Sequence, residues 1–285
     1  MSSPPASLSF RSVVSAVSLL LVTILWAEAQ QTPPTSPAPA MSGAQTDAKA
    51  YVDLGTVFYE KGDYVTAIGD YSEAIRISPD YAEAYNNRGS AYAKQMDYEM
   101  AIRDYTEAVR LNANFAGAYY NRGNAYYYKR NYDKAVEDYT EAIRLNPNYV
   151  DSYENRGNAY TAAKDYDKAI NDYTEVIRIK PNYANAYYNR GIAYYQKRDY
   201  SAAIQDFTVA IRLNPDYADV YNNRGSAYAN ENEYDKAIRD YTEAIRLNPH
   251  LSRAYRNRGL AYMKQKKIDK ANADFSKARR LETGQ

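Results

Sequence analysis

A three-residue motif, Asn-Arg-Gly, recurs along the chain, and each copy begins 34 residues after the one before it. The six copies begin at Asn87, Asn121, Asn155, Asn189, Asn223 and Asn257, and a degenerate copy begins at Asp53. A fixed period of this length is typical of proteins built from stacked repeats, each of which contacts mainly its neighbours. The chain therefore divides into seven repeats, with bounds at 48–81, 82–115, 116–149, 150–183, 184–217, 218–251 and 252–285.

Each repeat contains two stretches of helical periodicity. In the third repeat, Tyr119, Gly123 and Tyr126 fall on one helical face, and the pattern is interrupted at Asn131 before it resumes. The second stretch is expected to end before Pro147, because proline and the residue that precedes it disfavour helix. Neither helix can bury its apolar face alone, so the repeats are expected to stack.

Glycine occupies position 8 of every repeat, when positions are numbered 1 to 34 within each repeat. Glycine inside a helix costs about 1 kcal/mol relative to alanine, so a compensating contact is expected. Position 20 is always alanine, and we interpret the glycine as the point where the second helix approaches closely, with that alanine facing it. The glycines are Gly55, Gly89, Gly123, Gly157, Gly191, Gly225 and Gly259.

These recurring residues resemble the signature of the tetratricopeptide repeat family. That signature combines a large residue at position 4, glycine at 8, aromatic residues at 11 and 24, alanine at 20 and 27, and proline at 32. The third repeat supplies them as Tyr119, Gly123, Tyr126, Tyr139, Ala135, Ala142 and Pro147. The resemblance covers residues 48–285 and implies an all-α fold: a right-handed superhelical solenoid of helix-turn-helix repeats, with a concave groove that binds ligands.

Arginine at position 7 and aspartate at position 23 recur together in six repeats, where the family usually has leucine and often tyrosine. We interpret them as ion pairs between the two helices of a repeat, because a partly buried arginine needs an anionic partner. An arginine ladder for acidic ligands is the alternative. The first repeat has Leu54 with Asp70 and lacks the pair.

Surplus tyrosines fall on one face of the first helix. Positions 2, 5, 6, 9, 12 and 13 share that face, which lines the groove in the family. Because aromatic side chains are enriched at binding hot spots, we predict stacking anchors for a partner at Tyr120, Tyr127, Tyr188 and Tyr195. The alternative is chance placement in a chain that contains 34 tyrosines.

Asparagine occupies position 6 of the same face in six repeats. An asparagine amide can bond both the C=O and the N–H of an extended peptide, so we predict a peptide-binding role for Asn87, Asn121, Asn155, Asn189, Asn223 and Asn257. Duplication of an idle residue would give the same pattern. Position 6 is never basic, so the family's clamp for carboxylate tails is absent.

Composition excludes several kinds of chemistry. The chain has no cysteine and a single histidine, His250, which follows a proline in a turn. Thiolate nucleophiles, zinc–thiolate sites and nucleophile–base pairs are therefore not available. With 36 basic and 35 acidic residues, nothing in the overall charge indicates nucleic acid as a partner. No catalytic site, metal site or small-molecule cofactor is predicted.

The N-terminal residues resemble an export signal. Arg11 precedes an apolar run from Val13 to Trp26, and small residues at Ala27 and Ala29 suit cleavage after Ala29. Residues 1–29 are therefore predicted to be a signal peptide, with an uncleaved membrane anchor as the alternative. Residues 30–47 contain four prolines and are predicted to be a disordered linker.

The function that these features favour is a non-catalytic scaffold, exported to the periplasm or secreted, that binds an extended peptide or a partner protein in the groove. One alternative is a structural array that assembles weakly with itself through repeat ends. The other is an accessory subunit of an exported enzyme or assembly complex. The last repeat has Asn272 and Arg279 where the others have apolar residues, which is typical of a capping repeat.

Overall fold

The computed structural model describes residues 43–283, which form fourteen α-helices and, among these residues, no strand. The prediction of an all-α fold of paired helices is confirmed. The predicted signal peptide and residues 30–42 of the predicted linker lie outside the described residues. Within residues 43–283, no helix combines the length and the apolar character needed to cross a bilayer.

The helices fall into two compact units, one ending at Leu111 and the other beginning at Asn112. The first unit contains α1 (Gly43–Glu60), α2 (Tyr64–Ile77), α3 (Ala82–Lys94) and α4 (Tyr98–Leu111). The second contains α5 (Ala116–Tyr128), α6 (Tyr132–Leu145), α7 (Val150–Ala162), α8 (Tyr166–Ile179), α9 (Ala184–Gln196), α10 (Tyr200–Leu213), α11 (Ala218–Asn230), α12 (Tyr234–Leu247), α13 (Ser252–Lys264) and α14 (Ile268–Thr283). Odd-numbered helices are the first helices of the repeats, and even-numbered helices are the second.

Helix α1 begins at Gly43, five residues before the first predicted repeat, so residues 43–47 are helical rather than part of a linker. The physical reason is that no proline follows Pro39 before the repeat, so nothing prevents the helix from extending towards the N-terminus.

The turn between the two helices of a repeat has one form throughout. In the third repeat, Arg130 has φ 60° and its N–H donates to the carbonyl of Tyr127, while the N–H of Asn131 donates to the carbonyl of Tyr126. This is the Schellman motif, and the Asn131 side chain then caps α6 by accepting from the N–H of Lys134. One short turn thus ends one helix and begins the next.

Successive repeats stack through small side chains at position 10 of the first helix. Ala159 packs with Ala135 and Tyr139 of the preceding repeat, and Ala193 packs with Ala169 and Tyr173. Within each unit, a second helix therefore contacts both its own first helix and the first helix of the next repeat in that unit. Burial of these faces between repeats replaces the single core of a globular domain.

The position-8 glycines are explained by close approach of the second helix, and an aromatic ring that the sequence did not indicate makes the nearest contact. A Cβ added at Gly157 would lie 2.8 Å from Cε1 of Tyr173, the aromatic residue at position 24. The aromatic ring at position 24 is therefore the nearest neighbour of the glycine, and the position-20 alanine faces it as expected, but through its backbone. The alanine contributes its backbone oxygen, 3.2 Å from the added Cβ at Gly55, Gly89 and Gly225.

The first helices form the inner layer of each unit. Within each unit, first helices of neighbouring repeats contact one another, as α1 does with α3 and as α5, α7, α9, α11 and α13 do in succession. The second helices of successive repeats make no comparable contact within the described residues. The first helices are therefore closer together, and positions 2, 5, 6, 9, 12 and 13 lie on what we call the inner face.

Candidate functional site

The position-7 arginines are held by ion pairs, as predicted. Nε and Nη2 of Arg156 donate to the two carboxylate oxygens of Asp172 at 2.9 and 2.7 Å, and the side chains are 16% and 6% exposed. The third nitrogen, Nη1, donates to the hydroxyl of Thr140 in the preceding repeat at 2.9 Å. The guanidinium also lies 5.6 Å from the ring centroid of Tyr153. With its nitrogens engaged in this way, Arg156 is not available to an acidic ligand.

The same bidentate pair occurs in all six repeats that have the arginine. The pairs are Arg88–Asp104, Arg122–Asp138, Arg156–Asp172, Arg190–Asp206, Arg224–Asp240 and Arg258–Asp274. We call each of them, with its bond to the preceding repeat where the structure shows one, an arginine clasp. Clasps reach back to Ser72, Thr140, Thr174, Thr208 and Thr242.

Tyr120 and Tyr188, at position 5 of α5 and α9, are half-buried on the inner face. The ring centroid of Tyr120 lies 5.0 Å from that of Tyr149, and the ring centroid of Tyr188 lies 5.0 Å from that of Tyr217. Burial is the main cause that raises the pKa of Tyr188 to about 12, so its hydroxyl stays protonated at neutral pH. Each ring therefore packs against an aromatic neighbour while remaining partly exposed.

Tyr127 and Tyr195, at position 12, are also half-buried. Their ring centroids lie 5.5 Å from that of Tyr132 and 5.4 Å from that of Tyr200, the residues at position 17. The hydroxyl of Tyr195 accepts a hydrogen bond from Nδ2 of Asn230 at 3.0 Å. The structure thus places all four predicted tyrosines on one face and gives each a supporting aromatic contact.

Three of the predicted asparagines bond to the repeat before their own. Nδ2 of Asn155 donates to the hydroxyl of Tyr120 at 3.1 Å and to Oδ1 of Asn124 at 2.9 Å. Nδ2 of Asn223 donates in the same way to the hydroxyl of Tyr188 at 3.1 Å. Asn257 donates to Oδ1 of Asn222 at 3.1 Å. These amides link neighbouring first helices, a role that the sequence did not indicate.

The other three asparagines lie on the same face and are half-buried. Asn87 accepts a hydrogen bond from Nδ2 of Asn86 at 3.1 Å, and Asn121 occupies the equivalent position in α5. Asn189 differs from the rest because, among the described residues, its side chain makes no hydrogen bond. The preceding repeat offers it Glu154 at position 5, in place of a tyrosine. Its amide is therefore free to bond a ligand.

Position 9 of the inner face also carries structural polar residues that sequence reasoning missed. The hydroxyls of Tyr139 and Tyr173 donate to Oδ1 of Asn124 and Asn158 at 2.8 Å, within the same repeat. Ser90 and Ser226 take this role for the tyrosines of their repeats. Where position 24 is phenylalanine, position 9 is apolar, as in the pairs Phe207 with Ile192 and Phe275 with Leu260. That covariation between repeats was the available signal.

Glu154 is a partly buried carboxylate on the inner face of α7. It accepts a hydrogen bond from the hydroxyl of Tyr183 at 3.1 Å. Burial raises the pKa of the Glu154 carboxyl, and Asp151 raises it further, while the Tyr183 hydrogen bond and the charge of Lys180 oppose the rise. In the third to sixth repeats the inner-face positions carry no basic residue and three acids, Asp151, Glu154 and Asp219, of which Asp219 is paired with Arg253. This face therefore favours neutral or basic ligands.

The described residues contain no group of three or more His, Cys, Asp or Glu side chains that could hold a metal ion. His250 is exposed in the turn before α13.

Sequence models of one family match almost all of the described chain. Models described as TPR repeat match residues 46–95 and 157–198. Models described as tetratricopeptide repeat match residues 82–115, 116–149, 184–217 and 218–251, residues 138–171, and residues 252–284. No curated protein sequence matches the chain.

Three solved structures with the same fold each match this chain over at least 95% of their own length. MamA is 32% identical, with a TM-score of 0.54 over 57% of this chain and 95% of its own. YrrB, described as a TPR protein with an unusual peptide-binding site, is 23% identical, with a TM-score of 0.58 over 65% and 95%. The C-terminal part of a TPR repeat-containing protein from Cytophaga hutchinsonii is 19% identical, with a TM-score of 0.70 over 82% and 96%.

Proposed function

The chain belongs to the tetratricopeptide repeat family, and we propose that it is a non-catalytic scaffold whose inner face binds an extended peptide or a segment of a partner protein. The observation that carries the proposal is the unbonded amide of Asn189, which lies on the same face as Tyr188 and Tyr195. An amide with free donors and a free acceptor can pair with the backbone of an extended chain. The neighbouring rings provide apolar surface for its side chains.

Repetition supports an elongated rather than a compact ligand. Tyr120 and Tyr188 stand at the same position of α5 and α9, two repeats apart, and Glu154 stands at that position between them. Contacts at a regular interval along one face suit a chain that runs along it. The acidic residues of this face lead us to expect a segment without clustered acidic side chains.

YrrB has a peptide-binding site according to its description, and it shares the fold of this chain. At 23% identity, that likeness extends to the fold alone. The proposal therefore depends on the inner face of this chain and on the amide and rings that it presents.

The test compares Asn189, whose side chain makes no hydrogen bond among the described residues, with Asn155, whose amide bonds the preceding repeat. A library of displayed unstructured peptides is selected against the purified protein, and the affinity of the selected peptide is measured for Asn189→Ala and Asn155→Ala. We expect Asn189→Ala to weaken binding about tenfold with unchanged thermal stability. Asn155→Ala should lower the melting temperature by about 2–4 °C, because it breaks a bond between repeats. Unchanged peptide affinity in Asn189→Ala would contradict the proposal.

Export is a separate proposal, supported by the charged residue, apolar run and small residues that end at Ala29. We expect the protein recovered outside the cytosol to begin at Gln30. N-terminal sequencing checks this, and an intact Met1 in protein from the cytosol would contradict it.

A further inference from the structure

Exposed apolar side chains are concentrated at the two ends of the repeat array. Among the described residues, the large hydrophobic side chains with the greatest exposure are Val57, Val65, Met96, Tyr128, Leu260, Met263 and Ile268. Five of these seven belong to the first and the seventh repeat, and none belongs to the fourth, fifth or sixth. Isolated exposed apolar residues are ordinary, but a concentration at two ends indicates contact surfaces.

In the seventh repeat, Leu260 and Met263 occupy positions 9 and 12. In earlier repeats of the second unit, residues at these positions bond to the repeat that follows. At position 9, Asn124 and Ser226 accept hydrogen bonds from the asparagine of the next repeat. At position 12, Tyr195 accepts one from Asn230. The seventh repeat places Leu260 and Met263 at these positions, 54% and 43% exposed. On α13, the edge that would meet an eighth repeat is therefore apolar, whereas α14 presents the exposed polar residues Asn272 and Arg279.

In the first repeat, the exposed residues occupy positions that a preceding repeat would cover. Position 10 is a buried alanine in every later repeat, whereas here it is Val57, 44% exposed. Position 7, which carries the clasp arginine elsewhere, is Leu54. The upstream face of α1 is thus more apolar than the same face of any later repeat.

Asp70 lacks the partner that its counterparts have. In the six later repeats the position-23 aspartate accepts two hydrogen bonds from arginine, but Oδ2 of Asp70 is buried without a hydrogen-bond partner. Burial raises the pKa of the Asp70 carboxyl, and the nearby charge of Asp63 raises it further. A carboxylate oxygen shielded from water in this way is stabilised by a cation from outside the repeat.

The two terminal repeats also carry opposite charge. The seventh repeat, residues 252–285, has ten basic and three acidic residues, whereas the first, residues 48–81, has three basic and six acidic. The near-neutral total of the whole chain conceals this asymmetry. Most of the basic residues are exposed, including Arg279 and Arg280 on α14.

We propose that the seventh repeat of one copy docks on the first repeat of a second copy, in a head-to-tail contact. Leu260 and Met263 of one copy cover the apolar face around Val57 of the other. This goes beyond peptide binding and does not depend on it.

Geometry within the array shows how the cation would reach Asp70. A clasp guanidinium spans the distance between the position-23 aspartate and the position-25 hydroxyl of the preceding repeat, as Arg156 does from Asp172 to Thr140. In the seventh repeat, position 25 is Ser276, and Arg279 and Arg280 lie three and four residues further along the same helix. When two copies stack, these arginines supply Asp70 with the positive charge that is missing because the first repeat has Leu54 in place of the clasp arginine.

The contact joins two different surfaces, so it produces open chains or rings rather than a closed dimer. It is measured by sedimentation of the protein, in the form recovered from cells, over a range of concentrations and at low and high NaCl. We expect mass to rise with concentration and the association to weaken at high salt, because opposite charges meet at the joint. A single-copy mass at every concentration overturns the proposal.

Two variants block one surface each. Val57→Lys places a cation on the face that meets the basic repeat, and Leu260→Lys places one in the apolar edge. Both residues are exposed, so folding is not expected to suffer. Each variant alone should weaken association at least about tenfold. Met96→Lys is the matched control, because Met96 is 76% exposed and four other repeats have Lys or Arg at its position; it should associate normally.

Mixing the two variants gives the decisive result. A Val57→Lys copy keeps its seventh repeat, and a Leu260→Lys copy keeps its first repeat, so a mixture retains one working joint. We expect two-copy complexes and nothing larger. A mixture that stays at one copy, or that forms larger assemblies, overturns the head-to-tail contact.

Discussion

At the scale of single residues, a repeat with tyrosine at position 24 pairs its hydroxyl with a polar residue at position 9, and a repeat with phenylalanine there has an apolar residue at position 9. Tyr173 donates to Asn158 at 2.8 Å, and Tyr139 donates to Asn124 at the same distance. Phe207 has no hydroxyl, and the equivalent partner position is Ile192. A buried polar group without a partner is costly, whereas replacing both partners by apolar groups can be nearly neutral. The matched pairs follow from this asymmetry.

Phe207→Tyr tests the match. Phe207 is fully buried, so the added hydroxyl faces Ile192 without a partner and should destabilise the protein by about 1–3 kcal/mol. The double variant with Ile192→Asn should recover most of that loss, because it recreates the pair of the fourth repeat. Urea unfolding measures both. A double variant that is no more stable than Phe207→Tyr alone would contradict the pairing.

Sequence reasoning at this scale identified the right residues but not all of their contacts. The position-8 glycines and the six ion pairs follow from spacing and charge. The asparagines could not be assigned from sequence, because an amide that bonds a neighbouring repeat and one that bonds a ligand look identical there. Only the hydrogen bond from Asn155 to Tyr120, and the lack of any side-chain hydrogen bond at Asn189 among the described residues, separate the two roles.

At the scale of helices, the arginine clasp joins three elements at once. Arg156 extends from α7, pairs with Asp172 on α8 and donates to Thr140 on α6. It therefore fixes the angle between the two helices of a repeat and the register of that repeat on its predecessor. A buried ion pair adds little net stability by itself, but removing one partner leaves the other charge buried.

A double-mutant cycle measures the clasp. Arg156→Leu and Asp172→Tyr should each cost about 3–5 kcal/mol, because each leaves an unpaired charge in a largely buried place. The double variant should cost much less than the two losses added together, since neither charge remains. Denaturant unfolding provides the three free energies. Simple additivity would mean that the two residues are not coupled.

Helix bounds were predictable because proline, asparagine and periodicity mark them, and Asn131 both interrupts the pattern and caps α6. The left-handed residue in each turn was not predictable. Only the first repeat has glycine there, at Gly62, whereas the others hold residues such as Arg130 at positive φ. Such a residue costs about 1–2 kcal/mol, and the two Schellman hydrogen bonds of the turn compensate for it.

At the scale of the molecule, the number of repeats follows from the 34-residue period, and the family follows from the residues that recur at fixed positions within it. The charge difference between the first and last repeats cannot be read from the total charge, because that total is close to zero. The unpaired Oδ2 of Asp70 could be anticipated only in part. Leu54 shows that the arginine is missing, but the burial of that oxygen is a property of the fold.

The clasps also determine how the second unit responds to mechanical tension. Four equivalent clasps join successive repeats of this unit, at Arg156, Arg190, Arg224 and Arg258. A force applied along the array therefore acts equally on each of them. We expect the array to unravel from its ends in uniform lengths, each releasing 34 residues, or about 115 Å of extended chain. Force spectroscopy would record evenly spaced peaks, and a single rupture event would contradict this. The protein would then lengthen in steps of one repeat under force, instead of unfolding in one event.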